Sequence, residues 1–126
     1  MKTRWLDRRI ALPGPYLTLV LSEAEFIDAV KHIGESVHQP WQGNGHACTH
    51  IFRCPGKPMT VIVALSGWKG RDPIEVAGML VHEAVHVWQR HAQDIGEEDP
   101  GDEQEAYAVQ SIAQELLAEF ARRVAT

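Results

Sequence analysis

The chain reads as a single α+β domain, and three observations predict it. Two runs of strand-forming residues stand out, Tyr16 to Leu21 (YLTLVL) and Met59 to Leu65 (MTVIVAL). Three other stretches carry apolar residues at helical spacing, and each opens on a capping residue: Ser22, Asp72 and Asp102. A length of 126 residues fits one domain, 1–126, and leaves little room for a second.

In chain order, residues 1–14 are irregular and lead into Pro13-Gly14-Pro15, which breaks regular structure. Tyr16 to Leu21 follows as the first strand. Ser22 then caps a helix, with Glu25 as its capping-box partner and Phe26, Ile27, Val30 and Ile33 as its apolar stripe. Gly34 ends it. Residues 34–47 contain Pro40, Gly43 and Gly45 and read as a loop. His46 to Arg53 and Met59 to Leu65 flank the turn Pro55-Gly56-Lys57-Pro58, so they predict a β-hairpin. With the first strand, the expectation is a small antiparallel sheet.

Asp72-Pro73-Ile74-Glu75 opens the central helix: Asp72 is a good N-cap, Pro73 suits the first helical position, and Glu75 can close a capping box. This helix runs to about Ala92, before Gly96 and Pro100. The last helix starts at Asp102, has Glu105 in the capping-box position, and runs to about Val124. Its buried face is Val109, Ile112, Ala113, Leu116 and Phe120.

The central helix carries His82-Glu83-Ala84-Val85-His86. Residues four apart share a helical face, so both imidazoles point the same way and can reach one metal ion. On a wheel, Val76, Leu80, Val81, Ala84, Val85, Val87 and Trp88 fill one half and are expected in the core. His82, His86 and Gln89 fall on the other half, with Glu83 and Met79 at its border. The bland reading of two such histidines is a solvated helix face; Glu83 between them weighs for a metal site instead.

A catalytic zinc takes three protein ligands and leaves one position for water. The third is expected at the acidic start of the last helix, among Asp99, Asp102, Glu103 and Glu105. Charge complementing the helix dipole accounts for most of that cluster without excluding one ligand.

Composition sets limits on function. A chain 44% hydrophobic and 23% charged is ordinary for a globular protein. A net charge of -5 argues against nucleic acid or an anionic membrane as the main partner. No apolar run reaches the ~18 residues that span a bilayer. The start, with Lys2, Arg4, Asp7, Arg8 and Arg9, lacks the apolar core of a secretion signal, so a cytoplasmic location is expected. Cys48 and Cys54, far apart along an extended segment, are expected as free thiols. His46, Cys48, His50 and Cys54 share one strand face, but four ligands along a straight strand cannot converge on one ion. His32, His38 and His91 read as ordinary histidines, and Trp41, Trp68 and Trp88 as packing residues.

Val81 to Gln89 (VHEAVHVWQ), followed by Glu103 to Gln110 (EQEAYAVQ), resembles the small gluzincin-type HExxH zinc metallopeptidases. The chain is most similar to the short HExxH metallopeptidases encoded by phages and prophages. The resemblance covers residues 60–120 and implies a minimal zincin-like domain that binds Zn(II) and hydrolyses a peptide or protein substrate. In that family the third ligand is a glutamate on the helix after HExxH, commonly in E-x-x-A followed by a polar residue. That pattern implies Glu103, with His82 and His86 as the other ligands. The wheel of the last helix favours Glu105, which lies nearer the Val109-Ile112-Leu116 stripe. Glu83 is implied as general base. Tyr107, His91 and Tyr16 are candidates for stabilising the oxyanion, with Tyr107 the residue carried forward. Tyr107 stands where an aspartate often supports a ligand histidine, which leaves that support unassigned. The strand Met59 to Leu65 is expected as the sheet edge along which an extended peptide pairs. A zinc-containing structural or host-interaction protein without turnover, and a metal-free helical interaction module, are the competing expectations.

Overall fold

A computed structural model describes residues 3–6, 16–43, 45–53, 56 and 58–124. The expected break at Pro13 to Pro15, and Cys54, Pro55 and Lys57 of the expected turn, lie outside the described residues. Six elements follow in order: β1 (Tyr16–Val20), α1 (Glu23–His32), β2 (Ala47–Phe52), β3 (Thr60–Leu65), α2 (Pro73–Asp94) and α3 (Asp102–Val124). The fold is α+β, three helices around a three-stranded sheet among the described residues.

The sheet corrects the antiparallel expectation. Its order is β1-β3-β2. β2 and β3 form the antiparallel hairpin, with Thr49 opposite Val63, but β1 runs parallel to β3, with Thr18 opposite Ile62. A parallel neighbour needs a long crossover, and α1 with β2 supplies it. The same order places β3 in the centre, so Met59 to Leu65 is not the sheet edge. Its apolar run from Val61 to Leu65 fits burial on both faces, whereas an exposed face would alternate with polar residues.

The two faces of the sheet are covered separately. Leu17, Leu19, Val61, Val63 and Leu65 point to one side, where they meet Val76, Leu80, Ala84, Val87 and Trp88 of α2 and Ala108, Ile112 and Leu116 of α3. Val20, Ile62 and Ala64 point to the other, against Phe26, Ala29 and Val30 of α1. The alternation is the period-two consequence of the pleat.

The helix ends follow local chemistry. The Ser22 hydroxyl accepts from the Glu25 N–H at 3.2 Å, and Glu25 Oε1 accepts from the Leu21 N–H at 3.2 Å. Asp72 Oδ1 accepts from the Ile74 N–H at 2.8 Å. Glu75 closes no box; it pairs with Arg71 at 3.4 Å. Gly96, at φ 75°, ends α2, and the Glu97 N–H reaches back to the Ala92 carbonyl. At the start of α3 the Glu105 N–H binds the Gly101 carbonyl, and the Glu105 side chain is used elsewhere.

The buried arc of α2 is rotated from the one the wheel predicts. Val81 is 41% exposed and Val85 half-buried, while Glu83 at 5% and His91 at 3% are inside. The sheet side of the helix therefore includes a carboxylate, which the apolar pattern alone does not anticipate.

Candidate metal centre

His82 and His86 lie one turn apart on the exposed side of α2, beside β2. Their rings meet edge to face with centroids 4.8 Å apart. Their Nε2 atoms are 3.1 Å apart. Two nitrogens bound to one tetrahedral zinc at about 2.0–2.1 Å stand roughly 3.3 Å apart, so the pair has the separation that such an ion requires. Gln89 Oε1 lies 3.2 Å from His86 Nδ1. A proton on His86 Nδ1 would donate to Gln89 Oε1 and leave the Nε2 lone pair toward His82. Gln89 thus contacts the His86 ring nitrogen other than the one that meets His82.

Glu83 projects from the same turn toward the sheet. Thr49 of β2 donates its hydroxyl to Glu83 Oε1 at 2.7 Å. Oε2 stands 3.9 Å from His82 Nε2. Leaving a buried carboxylate unpaired is costly, and the Thr49 hydroxyl offsets that cost while turning the second oxygen toward the histidines. Thr49 is the partner of Glu83 that sequence reading missed. The available signal was period two: Ala47, Thr49 and Ile51 share the face toward α2, and Thr49 carries the only hydroxyl among them.

The carboxylates of α3 separate clearly. Glu105 faces α2, where its Oε2 accepts from Trp88 Nε1 at 2.9 Å. It lines one groove with His86, Trp88 and Gln89. Glu103 and Tyr107 each lie two residues from Glu105, so both are turned about 200° around the helix axis from it. All three are exposed, Tyr107 at 64%, and none of them makes a hydrogen bond or ring contact with His82, Glu83 or His86. Among the described residues, no three His, Cys, Asp or Glu side chains converge as a ligand group. His82, Glu83 and His86 come together; Glu103, Glu105 and Tyr107 do not join them.

The remaining candidates lie apart. Tyr16 packs against Trp5 on the far strand, with ring centroids 6.2 Å apart. His91 is buried beside Trp88. Burial holds its pKa below the ordinary 6.5, partly opposed by the charge of Asp94. His50 stacks on Phe26 at 4.6 Å and binds the Trp41 carbonyl through Nε2 at 2.9 Å. Cys48 is a free thiol. Burial, the negative charge of Glu83 and, in the opposite sense, a hydrogen bond to Gly43 leave its pKa above 9.0, which disfavours the thiolate.

The molecule is thus an α+β domain with paired imidazoles and a held carboxylate on one helix. Compared with protein-family models, curated proteins and solved structures, the chain matches none.

Proposed function

We propose that the chain is a zinc-dependent peptidase of the small gluzincin type, with His82 and His86 as metal ligands and Glu83 as general base. The observation that carries this reading is the Nε2 pair at 3.1 Å beside a carboxylate whose free oxygen lies 3.9 Å from His82. The third ligand is a glutamate of the α3 start. Glu105 is preferred over Glu103 because it faces α2 and lines a groove with His86, while His82 lines a separate one, so neither glutamate joins the histidine pair in this structure.

When bound, zinc lowers the pKa of water toward 7 and polarises a scissile carbonyl. The chain's own residues do the rest. Thr49 fixes Glu83 Oε1. Glu83 Oε2 takes a proton from the attacking water and delivers it to the leaving amine. β2, the outer strand beside α2, takes over the peptide-pairing role first expected of β3. Tyr107 is the weakest assignment: an oxyanion donor must lie near the reacting carbonyl, and its ring faces away from the histidines.

A zinc protein without turnover, of a structural or host-interaction kind, is the second reading, and the exposed position of Tyr107 favours it. Cleavage of a broad peptide library by the purified protein separates the two. The peptidase reading expects turnover that Glu83→Gln abolishes while zinc stays bound. Cleavage unchanged in Glu83→Gln would exclude the proposed mechanism, and no cleavage by the zinc-loaded wild type would favour the second reading.

A further inference from the structure

We propose that the cavity between the segment 3–6, α1 and the end of α3 binds a small zwitterion, a free amino acid or a dipeptide. Arginine side chains take its carboxylate and Asp28 takes its ammonium group. The inference does not rest on the zinc reading. The cavity lies along β1, at the opposite edge of the sheet from β2 and the histidines. Its volume is about 230 Å³. Sites for drug-sized ligands occupy ~300–1,000 Å³, so this one suits a smaller molecule. Arg4 reaches it from the segment beside β1, Glu25 and Asp28 from α1, and Arg122 and Arg123 from the last turn of α3.

The donors and acceptors left over define the ligand. Glu119, its side chain 3% exposed, anchors two of the arginines. It accepts from Arg122 Nε at 3.0 Å and Nη2 at 2.7 Å, and Arg4 Nε stands 3.2 Å from it. Glu25 accepts from Arg123 Nη2 at 2.6 Å and from the Leu21 N–H at 3.2 Å. A guanidinium carries five N–H groups in one plane. Arg122 Nη1 and both Nη atoms of Arg4 have no partner among the described residues, and such planar donors match a carboxylate. On the other side, Thr3 donates to Asp28 Oδ2 at 2.9 Å, and Oδ1 has no partner among the described residues. A plain anion would leave Asp28 facing a like charge, and a plain cation would leave the arginines so. A zwitterion answers both, and its own charges cancel as those of Arg4, Arg122 and Arg123 cancel against Glu25, Asp28 and Glu119.

The test is an amide-resonance titration of the full-length protein, with a metal chelator present, against the twenty free amino acids and glycylglycine. At least one is expected to bind and to move the amides of Thr18, Leu19 and Val20. For that ligand, the same skeleton without its amino group, and the same skeleton without its carboxylate, should each bind about tenfold more weakly or worse, as loss of a charged hydrogen bond does. Asp28→Asn keeps the shape of an exposed side chain. It should weaken the amino acid by a similar factor and leave the deaminated acid unchanged. Arg4→Gln, at a side chain 60% exposed, leaves Arg122 on Glu119 and should weaken both. The comparison of the three skeletons uses wild-type protein and stands if either variant folds poorly. No binding by any of the panel, or binding that moves only amides away from β1, overturns the proposal. So does a deaminated acid that binds as tightly as its amino acid, or an Asp28→Asn variant of unchanged affinity.

Discussion

Glu83 shows what one residue can and cannot reveal in sequence. The spacing of His82 and His86 is local, so their shared helix side, with Glu83 at its border, was legible at once. Gln89, three residues past His86, was equally within reach of a local argument. The burial of Glu83 was not, because the hydroxyl that makes it affordable belongs to Thr49, thirty-four residues earlier. Thr49→Val should therefore leave a carboxylate oxygen unpaired in the interior. The expected loss is about 1–3 kcal/mol in chemical denaturation, with Thr49→Ser restoring most of it. An unchanged midpoint for Thr49→Val would mean that the bond contributes nothing. His91 makes a second prediction. Its folded pKa lies below 6.5, so the unfolded chain binds a proton that the folded chain refuses. The stability tied to neutral His91 is present above pH 6.5 and is lost as pH falls. Denaturation from pH 7 to pH 5 should show this slope, and His91→Gln should flatten it.

The elements were largely legible, because caps and periodicity are short-range. Ser22, Asp72 and Gly96 mark helix ends where the sequence placed them. What local signals could not supply was the order of strands. Whether β1 lies parallel to β3 is decided by how α1 and α2 cover opposite faces, a property of several elements together. The wheel of α2 failed in the same way: it treated all apolar residues as equally buried, and the sheet chose an arc that takes in Glu83 and leaves out Val81. Two glycines test the element scale. Gly78 lies in the exposed side of α2, and a Cβ there meets nothing within 4 Å. Gly78→Ala should raise stability by about 0.5–1 kcal/mol through helix propensity alone. Gly67 has φ 64°, and a Cβ would come within 2.6 Å of His46 Nδ1. Gly67→Ala should lower the melting temperature. Equal effects at the two sites would contradict the backbone argument.

At the scale of the whole molecule, the chain has few elements with which to enclose a site. α1 is committed to the far face of the sheet, and α2, α3 and β2 are left to frame the histidines. His82 keeps 67% of its side chain exposed. No helix among the described residues is long and apolar enough to cross a membrane. A centre this open offers little to grip a side chain, so on the proposed peptidase reading the isolated protein is expected to cleave unrelated peptides without strong preference. Sharp discrimination in a peptide library would count against that. The α+β class and the histidine pair were readable from the sequence. The hold of Thr49 on Glu83, and the turning of Glu105 rather than Glu103 toward α2, needed the packing of α2 against β2 and α3.

The central claim is that His82 and His86 together hold one zinc ion, and metal content tests it most directly. Protein purified at neutral pH should carry close to one equivalent of zinc, His86→Ala should lose it, and Glu83→Gln should keep it. A wild-type protein without zinc, or a His86→Ala variant that retains it, would contradict the account.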